Sequence, residues 1–173
     1  MGLDMFLLKV KKHPHLSPVT LLNIGWELYI FEDLLNDPDE TTRHLYNALI
    51  PYTYKYVKYE HSGEKTYLYK QIAYWRKANA IHKWFVKNVQ YGFDDCRSVV
   101  VSKEQIEELL ETCKKITPQN ASTLLPTQPG FFFGSTDYDE YYYEDIQYTI
   151  VTLEKILKET DWDNEYVLYN SSW

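Results

Sequence analysis

The 173-residue sequence lacks the features that would assign it to several common classes of protein. It has only two cysteines, Cys96 and Cys113, so it is not a secreted scaffold held together by disulfides. No apolar run in it approaches the ~18 residues that cross a bilayer, which argues against membrane insertion. Its first residues include Asp4 and lack the basic stretch of a secretory signal peptide. We therefore expect a cytoplasmic protein.

Basic residues are also in deficit. The chain has 18 Lys and Arg against 25 Asp and Glu, and its net charge of -7 argues against general nucleic-acid binding, because phosphate backbones need a basic face. Residues 54–87 are the exception, with eight basic and two acidic side chains. Such a basic island predicts either pairing with acidic neighbours or a pocket for a small anion.

Strong enzyme motifs are absent as well. The sequence has no Walker loop, Rossmann glycine pattern, HExxH, GxSxG or pair of CxxC motifs. His82 has no His or Cys three or four residues away to form a metal site with it. We therefore favour a non-enzymatic protein without catalytic residues, metal or cofactor. A small nucleotide-processing enzyme that uses Asp137, Asp139 or His82 is the remaining enzymatic alternative.

Aromatic residues are in excess, since 17 Tyr, 7 Phe and 5 Trp make up 17% of the chain. Periodicity predicts a single α+β domain over residues 1–173, with four to five helices packed on a small, mainly antiparallel sheet. Strands are predicted at residues 3–10 and 98–101, with a hairpin over 52–69. Helices are predicted at residues 26–35, 39–49, 74–89, 103–116 and 138–159.

Three further local features are predicted. Ser102 and Gln105 form a capping box at the start of the helix over 103–116, and Cys113 faces the core. Residues 130–134, an apolar run between glycines, are expected to form a buried strand or bulge. The tail over 161–173 has no clear period and is predicted to be irregular.

Two segments could carry a binding site. On a helix over 74–89, Trp75, Asn79 and His82 would share one face, and Arg76 and Lys83 would lie beside them. Arginine binds phosphate with two hydrogen bonds and tryptophan stacks on nucleobases. Residues 130–145 add hydroxyl groups and five acids, which would either repel phosphate or pair with the basic island. We expect the two segments to face each other across one cleft.

Four sequence blocks carry a resemblance to a known family. They are residues 1–5 (MGLDM), 74–86 (YWRKANAIHKWFV), 94–96 (DDC) and 124–142 (LLPTQPGFFFGSTDYDEYY). In these blocks the chain resembles a family of small phage and prophage proteins, over about residues 1–7 and 71–159 but not 8–70. The resemblance implies a phage origin, a setting in the host cytoplasm during infection, and action on the host that includes blocking its defences.

The leading hypothesis is a counter-defence protein that sequesters a small nucleotide-like anion in an aromatic and basic pocket. In it, Trp75 and nearby rings stack, basic side chains hold phosphate, and polar side chains orient the ligand. The predicted ligand-binding residues are Trp75, Arg76, Lys77, Asn79, His82, Lys83, Phe132, Ser135, Thr136 and Tyr138. The alternative is an inhibitor that binds a host protein through a patch of Tyr52, Tyr54 and Tyr56. A homo-oligomer is left open.

Overall fold

A computed structural model describes residues 2–27, 39–58, 60 and 63–173. Its strands are β1 (Asp4–Lys11), β2 (Tyr54–Val57), β3 (Glu64–Tyr67), β4 (Lys70–Arg76), β5 (Val99–Val101) and β6 (Glu165–Ser172). Its α-helices are α1 (Pro18–Glu27), α2 (Glu40–Leu49), α3 (Asn79–Asn88), α4 (Lys103–Lys114), α5 (Ala121–Leu124) and α6 (Glu140–Glu159). The α+β class is confirmed.

The main sheet has the strand order β4-β1-β6-β5, and every pairing in it is antiparallel. Both faces are covered, because successive side chains of β1 point to opposite sides. Met5 and Leu7 pack into the core formed with α3, α4 and α6. Leu8 and Val10 pack on the other face with Leu22 of α1. The hairpin of β2 and β3 forms a separate two-stranded sheet.

Several predicted elements are confirmed. They are the first strand, the hairpin, the short strand β5, and the helices observed as α2, α4 and α6. The capping box joins Ser102 and Gln105 at the start of α4. Cys113 is buried, and burial raises the pKa of its thiol to about 12. A helix cap followed by a 3.6-residue apolar period is thus a local signal that predicts a helix correctly in this chain.

The predicted helix over 74–89 is wrong in its first third. Residues up to Arg76 continue β4, which pairs with β1 so that Trp75 lies opposite Met5. Lys77 then turns the chain in a left-handed conformation, with φ 61°, and α3 begins at Asn79. A partner strand distant in sequence satisfies the backbone here, which overrides the helical period.

The predicted irregular tail is also wrong, because residues 165–172 form β6 between β1 and β5. Val167 and Tyr169 face the helices α3, α4 and α6, while Leu168 faces α1. A strand that is buried on both faces shows no alternation of apolar and polar residues, so its period is hidden in the sequence.

Two further predictions concern the helix over 26–35 and the apolar run over 130–134. The helix predicted over 26–35 falls mostly outside the described residues. The described α1 begins earlier, where Ser17 Oγ accepts the Thr20 N–H and Pro18 takes the first helical position. Residues 130–134 form no strand but a turn, in which the Phe133 N–H donates to Gly130 O.

In the described part of the chain, no helix has the length and apolarity needed to cross a membrane.

Candidate functional site

The amino-terminal ends of α3 and α6 open onto one cavity of about 310 Å³, which we call the α3–α6 cleft. One wall is formed by Arg76, Lys77 and residues 78–81. The residues of the other wall are Thr127, Gly134, Ser135, Asp137, Asp139, Tyr141, Tyr142, Glu144, Asp145 and Ile146. The two segments singled out in the sequence therefore do face each other. Of the ten predicted binding residues, Arg76, Lys77, Asn79 and Ser135 line the cleft.

The first wall is electropositive. Ala78 is the N-cap of α3 and provides no side-chain acceptor for the first-turn amides. In the described structure, no acceptor within the protein pairs with the N–H of Ala80 or Ile81. Arg76 and Lys77 form no ion pair with a described carboxylate. Free amides at the positive end of a helix dipole, beside two cations, favour an anionic group.

Asn79 fixes this wall against the loop that precedes α6. Its Nδ2 donates to Phe133 O (2.9 Å) and Ser135 O (2.8 Å), and its Oδ1 accepts the Gln128 N–H (2.9 Å). Gly134 has φ 86°, and a Cβ there would lie 3.1 Å from Lys77 Cβ, so the two backbones approach closely. Asn79 therefore shapes the cleft and is not free to orient a ligand as predicted.

The second wall is acidic. Asp139 caps α6 by accepting the Tyr142 N–H at 3.1 Å, and Glu144 and Asp145 follow on the next turn. Burial, aided by the charges of Glu144 and Asp139, raises the pKa of Asp145 to about 6. The cleft thus has a cationic wall and an anionic wall, and it suits a ligand with an anionic end and a hydrogen-bond-donating end.

Three residues of the acidic wall are not among those predicted from the sequence. Tyr141, Glu144 and Asp145 stand at i, i+3 and i+4 on α6, so they share one face. The Tyr141 ring is 67% exposed, at the start of the helix. Their spacing beside the Asp139 cap is the signal that would have found them.

The raised pKa of Asp145 predicts a pH-dependent gain for Asp145→Asn. A carboxyl with a raised folded-state pKa contributes stability below the unfolded pKa and loses it as pH rises through about 6. Because the group is partly solvated, we expect the variant to exceed wild type by about 1–2 kcal/mol at pH 8 and to match it near pH 4. Urea unfolding at both pH values measures this, with the exposed Asp163→Asn as control. An equal difference at both pH values would contradict it.

His82 lies outside the cleft and is fully buried. The neutral ring protonated on Nε2 satisfies both of its contacts: Tyr169 Oη donates to Nδ1 (2.6 Å), and Nε2 donates to Asp94 Oδ2 (3.0 Å). Trp173 Nε1 donates to the other oxygen of Asp94 at 3.0 Å. Burial lowers the pKa of His82, and the neighbouring Asp94 charge opposes that shift. These hydrogen bonds tie α3 to β6 and leave His82 no access to a ligand.

Trp75 is not on a helix face either. Its ring is buried between strand and helix, where it packs edge-on against Tyr148, and its Nε1 donates to Thr149 Oγ1 at 2.9 Å. The predicted grouping of Trp75, Asn79 and His82 on one helical face is therefore wrong, because Trp75 belongs to β4.

The other predicted binding residues do not line the cleft. Lys83 Nζ donates to Thr127 O (3.3 Å) beside a smaller cavity of about 270 Å³. Phe132 packs against the core, and its carbonyl accepts the Leu3 N–H (3.0 Å). Thr136 O accepts from Thr127 Oγ1 (2.9 Å), and Tyr138 Oη accepts the Thr127 N–H (3.2 Å). These residues hold the loop before α6 in place through backbone and side-chain contacts.

The predicted tyrosine patch is largely turned inward. Tyr54 Oη donates to Glu165 Oε1 (3.0 Å), and Tyr56 Oη donates to Tyr69 O (3.1 Å). Tyr52 is half-buried and packs against His13, with ring centroids 4.4 Å apart.

Among the described residues, no three His, Cys, Asp or Glu side chains are grouped to hold a metal ion. No family model, curated protein or solved structure matches the chain. The resemblance to phage proteins stays a prediction.

Proposed function

We propose that the protein is a non-enzymatic binding protein that holds a small nucleotide-like anion in the α3–α6 cleft. The observation that carries the proposal is the uncapped start of α3, which opens into the α3–α6 cleft next to Arg76 and Lys77. Its volume of about 310 Å³ is at the lower end of small-molecule sites.

The two walls assign the ends of the ligand. Its phosphate or other anionic group would accept from the Ala80 and Ile81 amides and pair with Arg76. Its ring amino groups would donate to the carboxylates opposite, which include the partly buried Asp145. Tyr141 offers an exposed ring at the edge of the cleft for stacking. A bare inorganic anion would meet the acidic wall without any such compensation.

The biological part of the proposal rests on the sequence blocks. A phage protein that retains a nucleotide signal without converting it would lower the free concentration of that signal in the infected cell. Such a protein needs a binding cleft but no catalytic group. The one histidine predicted to act there, His82, is buried and hydrogen-bonded on both nitrogens, which weakens the enzymatic alternative.

Arg76→Gln is the variant that tests this function. We expect at least about a tenfold loss of affinity, because a charged hydrogen bond to phosphate is removed while the chain stays folded. Calorimetry against nucleoside mono-, di- and triphosphates and cyclic mono- and dinucleotides is the measurement. Lys115→Gln removes one exposed positive charge elsewhere and should leave affinity unchanged. Silence across the whole panel, or equal affinity of the two variants, would overturn the proposal.

A host-protein inhibitor is the second candidate. The Phe131 ring is 96% exposed, and exposed rings of this kind serve as anchors in protein interfaces. Capture of one host protein that Phe131→Ser abolishes, together with no response from the nucleotide panel, would favour this candidate over the first.

A further inference from the structure

A small cavity of about 120 Å³ lies where the end of α6 meets β1 and β4, and we call it the α6-end pocket. Its lining residues are Lys9, Lys70, Gln71, Ile72, Lys155, Ile156, Glu159 and Thr160. None of them lines the α3–α6 cleft. The pocket has room for about four water molecules, well below the ~300 Å³ at which sites for whole small molecules begin. It therefore suits a group of a few heavy atoms.

The hydroxyl of Thr160 has no partner in the described part of the protein. Thr160 ends α6, where its N–H donates to Ile156 O at 3.0 Å. Its side chain is only 8% exposed, yet no hydrogen bond from a described residue reaches Oγ1. Buried hydroxyl groups are nearly always paired, because an unpaired one gives up its bonds to water without return. Since Thr160 lines the pocket, we expect an occupant of the pocket to supply the missing partner.

Two of the three lysines at the pocket lack an acidic partner. Lys9 has one, because its Nζ lies 2.8 Å from Glu165 Oε2 in a buried ion pair. Lys70 and Lys155 form no ion pair with any described carboxylate. Lys155 and Glu159 stand at i and i+4 on α6, the spacing of a helical ion pair, yet they do not pair. Ammonium groups beside an unpaired hydroxyl favour an anion with several oxygen acceptors.

Two negative features oppose that anion and make both lysines necessary. The Glu159 carboxylate lines the pocket, and the carboxyl-terminal end of α6 carries about half a negative charge from the helix dipole. The charges of Lys70 and Lys155 exceed this sum only slightly. Lys70 Nζ also lies 5.8 Å from the centroid of the Tyr56 ring, so Lys155 is the less engaged of the two cations. Loss of either lysine therefore removes the excess of positive charge.

We propose that the α6-end pocket is a second binding site, for a phosphate group. The group is either inorganic phosphate or the terminal phosphoryl of a larger molecule that reaches the pocket from outside. Its oxygens pair with Lys70 and Lys155 and accept from Thr160 Oγ1. A tetrahedral oxyanion directs oxygens to three separate donors at once, whereas a carboxylate has two oxygens in one plane. The site does not depend on the function proposed for the α3–α6 cleft.

Inorganic phosphate is the first probe, and calorimetry at low ionic strength is the measurement, because salt screens exposed charges. We expect binding in wild type that Lys155→Gln weakens about tenfold or more, since one charged contact is lost. Lys158→Gln removes the same charge from an exposed position on the same helix that does not line the pocket, and it should match wild type. Glu159→Gln should tighten binding, because it removes the carboxylate that opposes the anion.

Thr160→Val keeps the shape of the side chain and removes only the hydroxyl. We expect it to weaken phosphate binding about tenfold, while its unfolding midpoint without phosphate is at least that of wild type, because no buried bond is lost. Phenyl phosphate is the second probe. Competition between the two probes shows that the pocket admits a terminal phosphoryl, and binding of inorganic phosphate alone shows that it takes the free ion.

Arg76→Gln separates this site from the α3–α6 cleft, because Arg76 lines the cleft and not the pocket. Binding that depends on Lys155 should persist in Arg76→Gln whether or not the cleft binds nucleotides. Circular dichroism confirms that each variant is folded. Four results would each overturn the proposal: no phosphate binding by wild type, Lys155→Gln equal to Lys158→Gln, unchanged affinity in Thr160→Val, or weaker binding in Glu159→Gln.

Discussion

Replacement of Tyr169 by alanine should remove most of the stability of the native state. Tyr169 is fully buried in the middle of β6, and its ring stacks on Phe85 with centroids 4.1 Å apart and planes 8° apart. Loss of a buried aromatic ring costs about 3–5 kcal/mol through lost transfer energy and the cavity that remains. The variant also leaves His82 Nδ1 buried without its donor, which adds about 1–3 kcal/mol. A domain of this size is stable by about 5–15 kcal/mol.

Tyr169→Phe separates the two contributions, because it keeps the stacked ring and removes only the hydroxyl. We expect it to cost about 1–3 kcal/mol, the penalty for an unpaired buried nitrogen. Tyr141→Ala, at a largely exposed position of α6, should stay within about 0.5 kcal/mol of wild type. Urea unfolding followed by circular dichroism gives all three values. A Tyr169→Ala variant within 1 kcal/mol of wild type would show that the ring is not a core element.

The strands that the sequence did not reveal have a common cause. Val167, Leu168 and Tyr169 are all buried, because β6 has helices on both faces of the sheet. Such a strand has no alternation to detect, and its partners β1 and β5 lie far away in the sequence. The same non-local pairing explains β4, where Trp75 was assigned to a helix that begins four residues later at Asn79.

The charge pattern of the sequence predicts that a basic and an acidic segment face each other across the cleft. The acids over 137–145 and the basic residues Arg76 and Lys77 do lie across one cavity. The geometry of the turn at Lys77 was not predictable from the sequence. Lys77 takes a left-handed conformation, which changes the direction of the chain before α3 begins. Helical spacing across that turn groups Trp75, Asn79 and His82 in a ligand site, yet of the three only Asn79 lines the cleft.

Removal of the carboxylate of Glu165 should be nearly as damaging as loss of the Tyr169 ring. Glu165 Oε2 accepts from Lys9 Nζ at 2.8 Å and from the Asp161 N–H at 2.9 Å, and Oε1 accepts from Tyr54 Oη. The side chains of the ion pair are only 11% and 10% exposed, so water cannot replace the lost carboxylate. One carboxylate therefore joins β1, β6 and the hairpin.

For Glu165→Ala we expect a loss of about 3–5 kcal/mol, the cost of leaving a buried ammonium without its partner. Lys9→Met together with Glu165→Leu should cost less than Glu165→Ala alone, because no buried charge remains. Glu154→Ala breaks the exposed Lys114–Glu154 pair, also 2.9 Å long, and should cost less than about 1 kcal/mol. Urea unfolding at pH 7 compares these variants. If Glu165→Ala cost no more than Glu154→Ala, the buried pair would not hold the hairpin to the sheet.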